Sequence, residues 1–402
     1  MKKAVFSILI FTSSICFGQE YIDSVLLKRS FSLANQIFII DTHIDLPDWL
    51  YDEWFDVSNE SNTGEFDYVR AKNGGLDLAF LSIFTPAKLE GSGKSKLKAD
   101  SLITLVENLQ KHWPEKFQII KSTSDIEKFR ETSKILLAMG MENGSPIEEK
   151  LDNLKEFYDR GIRYITLAHG KSNHISDSSY DEDKKWNGLS PFGEQVVKEM
   201  NRLGIMIDVS HLSDSAFYDV IRLSKAPVIA SHSCCRFFTP GYERNMSDEM
   251  IKLLAEKNGV IQISFAGFFL RDDINKKSIE GDKHISEMLK DLNIDPSSDS
   301  AYVYSSNYWK EHPLEKANVK DVADHIDHVV KIAGIDFVGL GSDFNGVGNE
   351  LPIRLRDVSE YPNLIYELLS RGYSEDDLKK ICGQNLLRVW AESERISNEL
   401  NK

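Results

Sequence analysis

The sequence is poor in cysteine, in long apolar runs and in clustered positive charge, and each shortage excludes something. Four cysteines occur in 402 residues. Cys16 lies in the leader, Cys234 and Cys235 are adjacent, and Cys382 stands far off. An odd number outside the leader argues against a disulfide framework, and no C-x-x-C spacing suggests a metal or redox pair. These three read as small buried side chains. Beyond the leader no segment approaches the roughly 20 apolar residues of a membrane helix, and the C-terminus, "SNELNK", is polar. Lys and Arg number 48 against 63 Asp and Glu, a formal net charge of −15. Nucleic acid is therefore not expected as a partner, since it requires clustered basic residues. Internal repeats and long low-complexity linkers are also missing. No G-x-G-x-x-G follows the first apolar run, which counts against an open dinucleotide-type sheet.

The leader itself reads as an export signal. Lys2 and Lys3 precede the apolar "AVFSILIF", and Gly18 offers a cleavage point. Ser13-Ser14-Ile15 fits a lipidated Cys16 poorly, because a small residue should precede that cysteine. The expectation is residues 1–18 as signal peptide and 19–402 as one domain, exported to the periplasm or secreted, without a stable membrane anchor.

Eight short apolar runs recur along that domain: 38–41, 76–84, 135–142, 163–169, 205–211, 227–232, 260–265 and 337–343. Amphipathic helical patterns separate most of them. Segments 147–161, 190–204, 247–259 and 318–334 each end at a glycine, the usual helix stop. Near-continuous apolar strands alternating with helices imply a parallel sheet covered by helices. Eight units predict an α/β fold, a (β/α)8 TIM-type barrel. The helical patterns after residue 350 are expected outside the barrel. Segment 266–317 is long enough to reach over the C-terminal rim.

Most of these runs end in a metal-type ligand. In "FIIDTHIDLP" the polar residues Asp41, His43 and Asp45 share one face of an extended chain. His43 and Asp45 follow the first run, Glu142 ends the third, His169 the fourth, His211 the fifth, His232 the sixth and Asp343 the eighth. In a barrel these ends meet on one rim. Burying that many charges unpaired would be prohibitively costly, and a metal centre removes the cost. Imidazoles mixed with carboxylates suit zinc or a similar divalent ion. One tetrahedral ion cannot use them all, whereas two ions sharing a carboxylate and a water can. That arrangement supplies a nucleophile for hydrolysis. Asp41 is expected to support its neighbours. His325 and His328 are placed on the outer side of a helix, and His174 is a candidate wall residue of the site.

With these residues in hand the chain resembles the membrane dipeptidases, also called renal dipeptidases, of peptidase family M19. The resemblance rests on "DTHIDLP", "RYITLAHGKSN", "GIMIDVSHLSD", "APVIASHS", "ERNMSDEM", "GLGSDFNGV" and "NLLRVW", in order across about residues 38–390. It implies a (β/α)8 barrel, two zinc ions per chain, a dipeptide substrate and a possible homodimer. Carried over by residue, His43 and Asp45 hold the first ion, Glu142 bridges, and His211 and His232 hold the second. His169 would contact substrate and the tetrahedral intermediate. Arg244 would hold the terminal carboxylate. Asp343 would handle protons and the free amino group. Tolerance of a D-residue at the C-terminal side is also implied.

Three departures stand out. Asn345 in "DFNG" replaces the second aspartate of a more usual D-F-D-G, "MENGSPI" replaces an E-G-G-H type of loop, and no tyrosine follows the seventh run. Two other readings stay open. One is an amidohydrolase acting on a cyclic amide or lactone, although such barrels open with H-x-H rather than H-x-D. The other is a zinc-binding barrel without catalysis.

Overall fold

Every one of the eight apolar runs lies on a strand, because a near-continuous apolar run can be buried on both faces, one toward the barrel interior and one toward the helices. The computed structural model describes residues 23–295 and 298–402, so the signal peptide expected over residues 1–18 lies outside the described residues. The strands are β1 (Ile39–Ile44), β2 (Leu76–Phe84), β3 (Phe117–Ile119), β4 (Ile135–Glu142), β5 (Ile162–Thr166), β6 (Met206–Asp208), β7 (Ile229–Ser233), β8 (Val260–Ile263) and β9 (Val338–Leu340). All pairings are parallel, in the order β1-β2-β4-β5-β6-β7-β8-β9. The ring closes just past β1 and β9, where the Asp343 N–H donates to the His43 carbonyl at 3.0 Å and the Asp45 N–H to the Phe344 carbonyl at 2.8 Å. The fold is the nearly closed eight-stranded α/β barrel that the alternation predicts. The short β3, not expected, pairs with the first part of β4, and β5 takes over from Met139 onward.

The barrel interior shows how the sequence grades from packing to chemistry. Inward residues at the base are apolar: Ile40, Leu78, Phe80, Leu136, Ala138, Met206, Ile229 and Val260. Their alternates, such as Ala79, Leu81, Leu137 and Met139, join the larger core beneath the helices. Two residues further along the same inner faces the side chains turn polar: Ser82 after Phe80, Glu142 after Gly140, Thr166 after Tyr164, and Asp208 after Met206. Gly140 occupies the step between. A Cβ there would lie 1.9 Å from the Tyr164 ring, so the tyrosine fills the space a side chain would need.

Local signals agree with the helix ends. Ser190 accepts the Gly193 N–H, Ser247 the Met250 N–H, and Asn318 forms a reciprocal cap with Asp321. Gly161 and Gly204 close their helices in the left-handed conformation. The last helix, Asn385–Leu400, differs from the expectation of an exterior position. Its Trp390 is fully buried against the interior cluster, 5.3 Å from the Phe80 ring. Arg388 donates to the carbonyls of Asn258, Gly259 and Asp336, at the starts of β8 and β9. The helix is thus a floor across the N-terminal end of the barrel. The apolar stripe was visible in the sequence, but its partner, the barrel's open base, exists only after closure.

The 266–317 segment folds as Gly267–Leu270, Asp272–Asp291 and Asp299–Glu311. The last two helices share a small core of Ile285, Leu289 and Ala301. The three cysteines Cys234, Cys235 and Cys382 are free and buried, as expected. Among the described residues no helix is long and apolar enough to cross a membrane.

Candidate metal centre

At the C-terminal rim the strand ends bring His43, Asp45, Glu142, His169, His211, His232 and Asp343 together. Their ligand atoms form three overlapping groups, each with all atoms within 4.8 Å: His43, Glu142 and His232; Glu142, His169 and His211; His43, Asp45 and Asp343. Glu142 is the hub. Its Oε2 lies 3.3 Å from His43 Nε2, and its Oε1 lies 3.2 Å from His211 Nε2 and 3.4 Å from both His169 Nε2 and His232 Nε2. Ser82 donates to Glu142 Oε2 at 3.1 Å. His169, read from the sequence as a substrate residue, stands as near Glu142 as the expected histidine ligands do, and Asp343 groups instead with His43 and Asp45.

Backbone geometry directs two of these side chains. His211 and Asp343 have φ of 66° and 69°, a left-handed conformation that costs a non-glycine residue roughly 1 kcal/mol or more. Each follows a strand by three residues, where a left-handed step turns the chain across the rim. Asn143, at φ 75°, shapes the "MENGSPI" loop. Its amide donates to the Thr85 carbonyl and its oxygen accepts from Ser145 and Asn173.

The chemistry of the donors fits divalent ions. His43 Nε2 is buried without a hydrogen-bond partner and faces Glu142 Oε2 and, at 3.4 Å, Asp45 Oδ2. His211 Nε2 and His232 Nε2 are 2.7 Å apart. Imidazole nitrogens aimed at one another and at carboxylates form a set that a cation satisfies. The local field has the same sense. Burial works against charge on His43, but Tyr164, Glu142 and Asp45 outweigh it and raise its pKa well above the ordinary value. Burial would raise Glu142, yet the charges of His43 and His169 and the hydrogen bonds of His211 and His232 hold it well below the carboxylate range. Burial depresses His169, and depresses His211 and His232 strongly, with Arg244 adding to the effect on His211 and His43 to that on His232. Burial, with Asp45 and Glu142 alongside, pushes Asp343 up to about 7 against the pull of His43.

Arg244 reaches the same place from the loop after β7. It is buried, and its guanidinium donates to Ser233 Oγ at 2.9 Å and to the His232 carbonyl at 2.7 Å, with Nη2 3.0 Å from His211 Nε2. Phe269 covers it, with the guanidinium carbon 4.7 Å from the ring centre. Asp41 behaves as expected. It accepts the N–H groups of His43 and Ser342, each at 3.0 Å, and the Tyr361 hydroxyl.

Three further histidines differ from the sequence reading. His174 is not in the cavity wall. Its Nδ1 pairs with Glu90 at 2.8 Å, beside Phe192. His325 is not on an outer helix face. It is fully buried, with Nδ1 accepting the Cys235 N–H and Nε2 on the Leu270 carbonyl, each at 3.0 Å. His328 is nearly buried too and bonds Asp248 at 2.8 Å. The helical period alone does not tell which stripe the rim loops cover.

A cavity of about 500 Å³ opens above the cluster. Several of its walls were missed in the sequence. Asp48, Trp49 and Asp52 follow the expected Asp45 at i+3, i+4 and i+7 along the short helix Leu46–Asp52 that Asp45 precedes, and face the cavity together with Glu53. That stripe is legible once the helix is known. Phe84, Phe268 and Phe269 supply apolar surface, and Tyr180 enters from the loop after β5. Tyr180 therefore brings a tyrosine to a cavity for which none was found after β8. The lining includes six carboxylates and no lysine or arginine.

Comparison with known proteins converges on one family. The family model for membrane dipeptidases, peptidase family M19, matches residues 27–402. The chain is 31% identical over 406 residues to an uncharacterized dipeptidase of Schizosaccharomyces pombe (strain 972 / ATCC 24843), covering 94% of this chain and 87% of that protein. The crystal structure of the probable dipeptidase PvdM from Pseudomonas aeruginosa superposes with a TM-score of 0.81 at 28% identity, over 92% of this chain and 99% of that one. A metallopeptidase from Rhodobacter sphaeroides, solved with a phosphinate mimic of the dipeptide L-Ala-D-Ala, has the same fold, with a TM-score of 0.71 at 24% identity, over 89% and 99%.

Proposed function

Because the chain belongs to the membrane dipeptidase family, peptidase family M19, and is a metal-dependent dipeptidase, we propose that it cleaves dipeptides, L,D-dipeptides included, with two zinc ions. His43 and Asp45 would hold one ion, His211 and His232 the other, and Glu142 both. The observation that carries this reading is Glu142 itself, whose two oxygens lie within 3.4 Å of four imidazole nitrogens. Zinc bound there would supply Lewis acidity, making water a nucleophile near neutral pH and polarising the scissile carbonyl.

The protein's own groups do the rest. His169, in the cavity wall beside Phe84, donates to the oxyanion that develops on the scissile carbonyl. Asp343, with a pKa of about 7, takes a proton and returns it to the leaving nitrogen. The same carboxyl, with the acidic stripe of the Leu46–Asp52 helix nearby, favours the substrate's amino end on that side. Arg244 lies across the cluster beside His211 and offers its charge to the substrate carboxylate. A guanidinium reads a carboxylate and not the chirality of the carbon that bears it, which supports L,D-substrates. The reading extends to an exported homodimer, to be tested by fractionation and light scattering.

The deciding experiment measures bound zinc per chain and hydrolysis of L,L- and L,D-dipeptide panels, with His43→Ala as control. Two zinc ions, chelator-sensitive turnover and loss of activity in the variant are expected. Unchanged turnover in His43→Ala would sink the site assignment. Turnover of a cyclic amide with failure on every dipeptide would sink the proposed substrate class.

A further inference from the structure

Two of the proposed ligands, His43 and His232, share a feature beneath the cluster that the catalytic reading does not use. Each ring turns Nε2 toward Glu142 and rests Nδ1 on a buried hydroxyl. His43 Nδ1 lies 2.8 Å from the Tyr164 hydroxyl, and His232 Nδ1 lies 2.8 Å from Ser231 Oγ. The direction of these hydrogen bonds follows from counting protons.

The Tyr164 hydroxyl is also 2.9 Å from the Thr42 carbonyl. A carbonyl only accepts, so the single hydroxyl proton goes to Thr42. The oxygen is then left to accept from His43, and the proton between them belongs to Nδ1. Ser231 repeats the arrangement with different parts. Its Oγ is 2.6 Å from Asp208 Oδ2. That carboxylate already receives the N–H groups of Ser210 and Ser231, at 3.0 and 2.8 Å, and the Thr166 hydroxyl. Its surroundings are all donors, so the serine proton goes to Asp208 and Oγ accepts from His232 Nδ1.

Resting on the zinc reading above, we infer that Tyr164 and Ser231 are positioning residues that fix the tautomers of His43 and His232. Both rings carry their proton on Nδ1, and both present a bare Nε2 to the ions. The device is specific to these two. His211 also turns Nε2 toward Glu142, with Arg244 alongside, but its Nδ1 is buried without a hydrogen-bond partner. Tyr164 also explains Gly140, because only glycine on β4 leaves room for the ring that carries the hydroxyl to His43. A ligand imidazole held by such a partner loses no orientational freedom on binding and is a stronger base at its other nitrogen.

The test uses Tyr164→Phe, which keeps the ring over Gly140 and removes only the hydroxyl, and Ser231→Ala. Metal-free protein is titrated with zinc in competition with a chelating dye, and the melting temperature of the same metal-free samples is recorded. Each variant is expected to lose roughly ten- to a hundredfold in zinc affinity at one of two sites. The metal-free melting temperature should stay near that of the wild type, and kcat should recover at saturating zinc. Wild-type zinc affinity in either variant would overturn the role of that residue. So would an affinity loss matched by a lower metal-free melting temperature, which marks a packing role. A wild-type chain that takes up no zinc would overturn the zinc reading itself, a result distinct from failure of the variants.

Discussion

Lowering the pH from 7.5 to 4 should destabilise the protein through one buried imidazole, His325. It sits on the helix Val319–Ile332 and ties together two rim loops, accepting from the Cys235 N–H and donating to the Leu270 carbonyl. One loop carries Arg244 and the other Phe268 and Phe269. Burial pushes the His325 pKa from 6.5 down to about 4, with His328 adding to the effect and the Leu270 carbonyl opposing it. The sign follows from proton counting. Between those two values the unfolded chain holds a proton that the folded one lacks, so stability falls as the pH falls. The contribution is complete above 6.5 and lost on the way to about 4. At about 1.4 kcal/mol per pH unit, the gap is worth roughly 3 kcal/mol. The assay is urea unfolding of the wild type and His325→Gln at pH 7.5 and 4, both with chelator so that metal loss is common to the two. Glutamine does not titrate. The variant should be less stable at pH 7.5, by about 1–3 kcal/mol for a disturbed buried hydrogen bond. It should close most of that gap, or overtake the wild type, at pH 4. An unchanged gap at the two pH values would refute the reasoning.

Other expectations are as direct. Asp77 accepts the Ile39 N–H at the start of β1, and burial raises its pKa to about 6. Its ionisation therefore costs stability as the pH rises from 3.8 through 6, and Asp77→Asn should raise the melting temperature at pH 8 but not at pH 3.5. Gly140→Ala places a methyl group within 1.9 Å of the Tyr164 ring. The expected loss is about 1–3 kcal/mol or more, read by thermal unfolding, together with weaker zinc binding as the ring shifts from His43. Asp343→Asn should lower kcat by roughly 10²- to 10⁴-fold, the range for a general acid–base group. A near-normal kcat would remove Asp343 from proton transfer.

Much of this architecture was legible because its causes are local. Short, near-continuous apolar runs between helical patterns marked the strands, caps and glycines marked the helix ends, and His or acidic residues at the strand ends marked the rim. Topology then did the gathering, since parallel strands that close on themselves must bring their C-terminal ends together. What escaped was whatever depends on a partner distant in the chain. The carboxylates of the Leu46–Asp52 helix have ordinary surface spacing, and Tyr180 lies in an irregular loop with no periodic signal. Nothing near His174 announces Glu90, and nothing near His325 announces the loops that bury it.

The sequence by itself determined the barrel and the histidines and carboxylates at its strand ends, because apolar runs and chain order are properties of neighbouring residues. Only the tertiary structure decided which imidazoles face the cluster and which are fastened elsewhere. It also decided that Trp390 seals the base and that Tyr164 and Ser231 stand beneath two of the histidines. Those outcomes depend on which surfaces remain uncovered once the ring has closed, and hydrogen bonds between residues more than a hundred positions apart, such as His43 and Tyr164, leave no trace in local pattern.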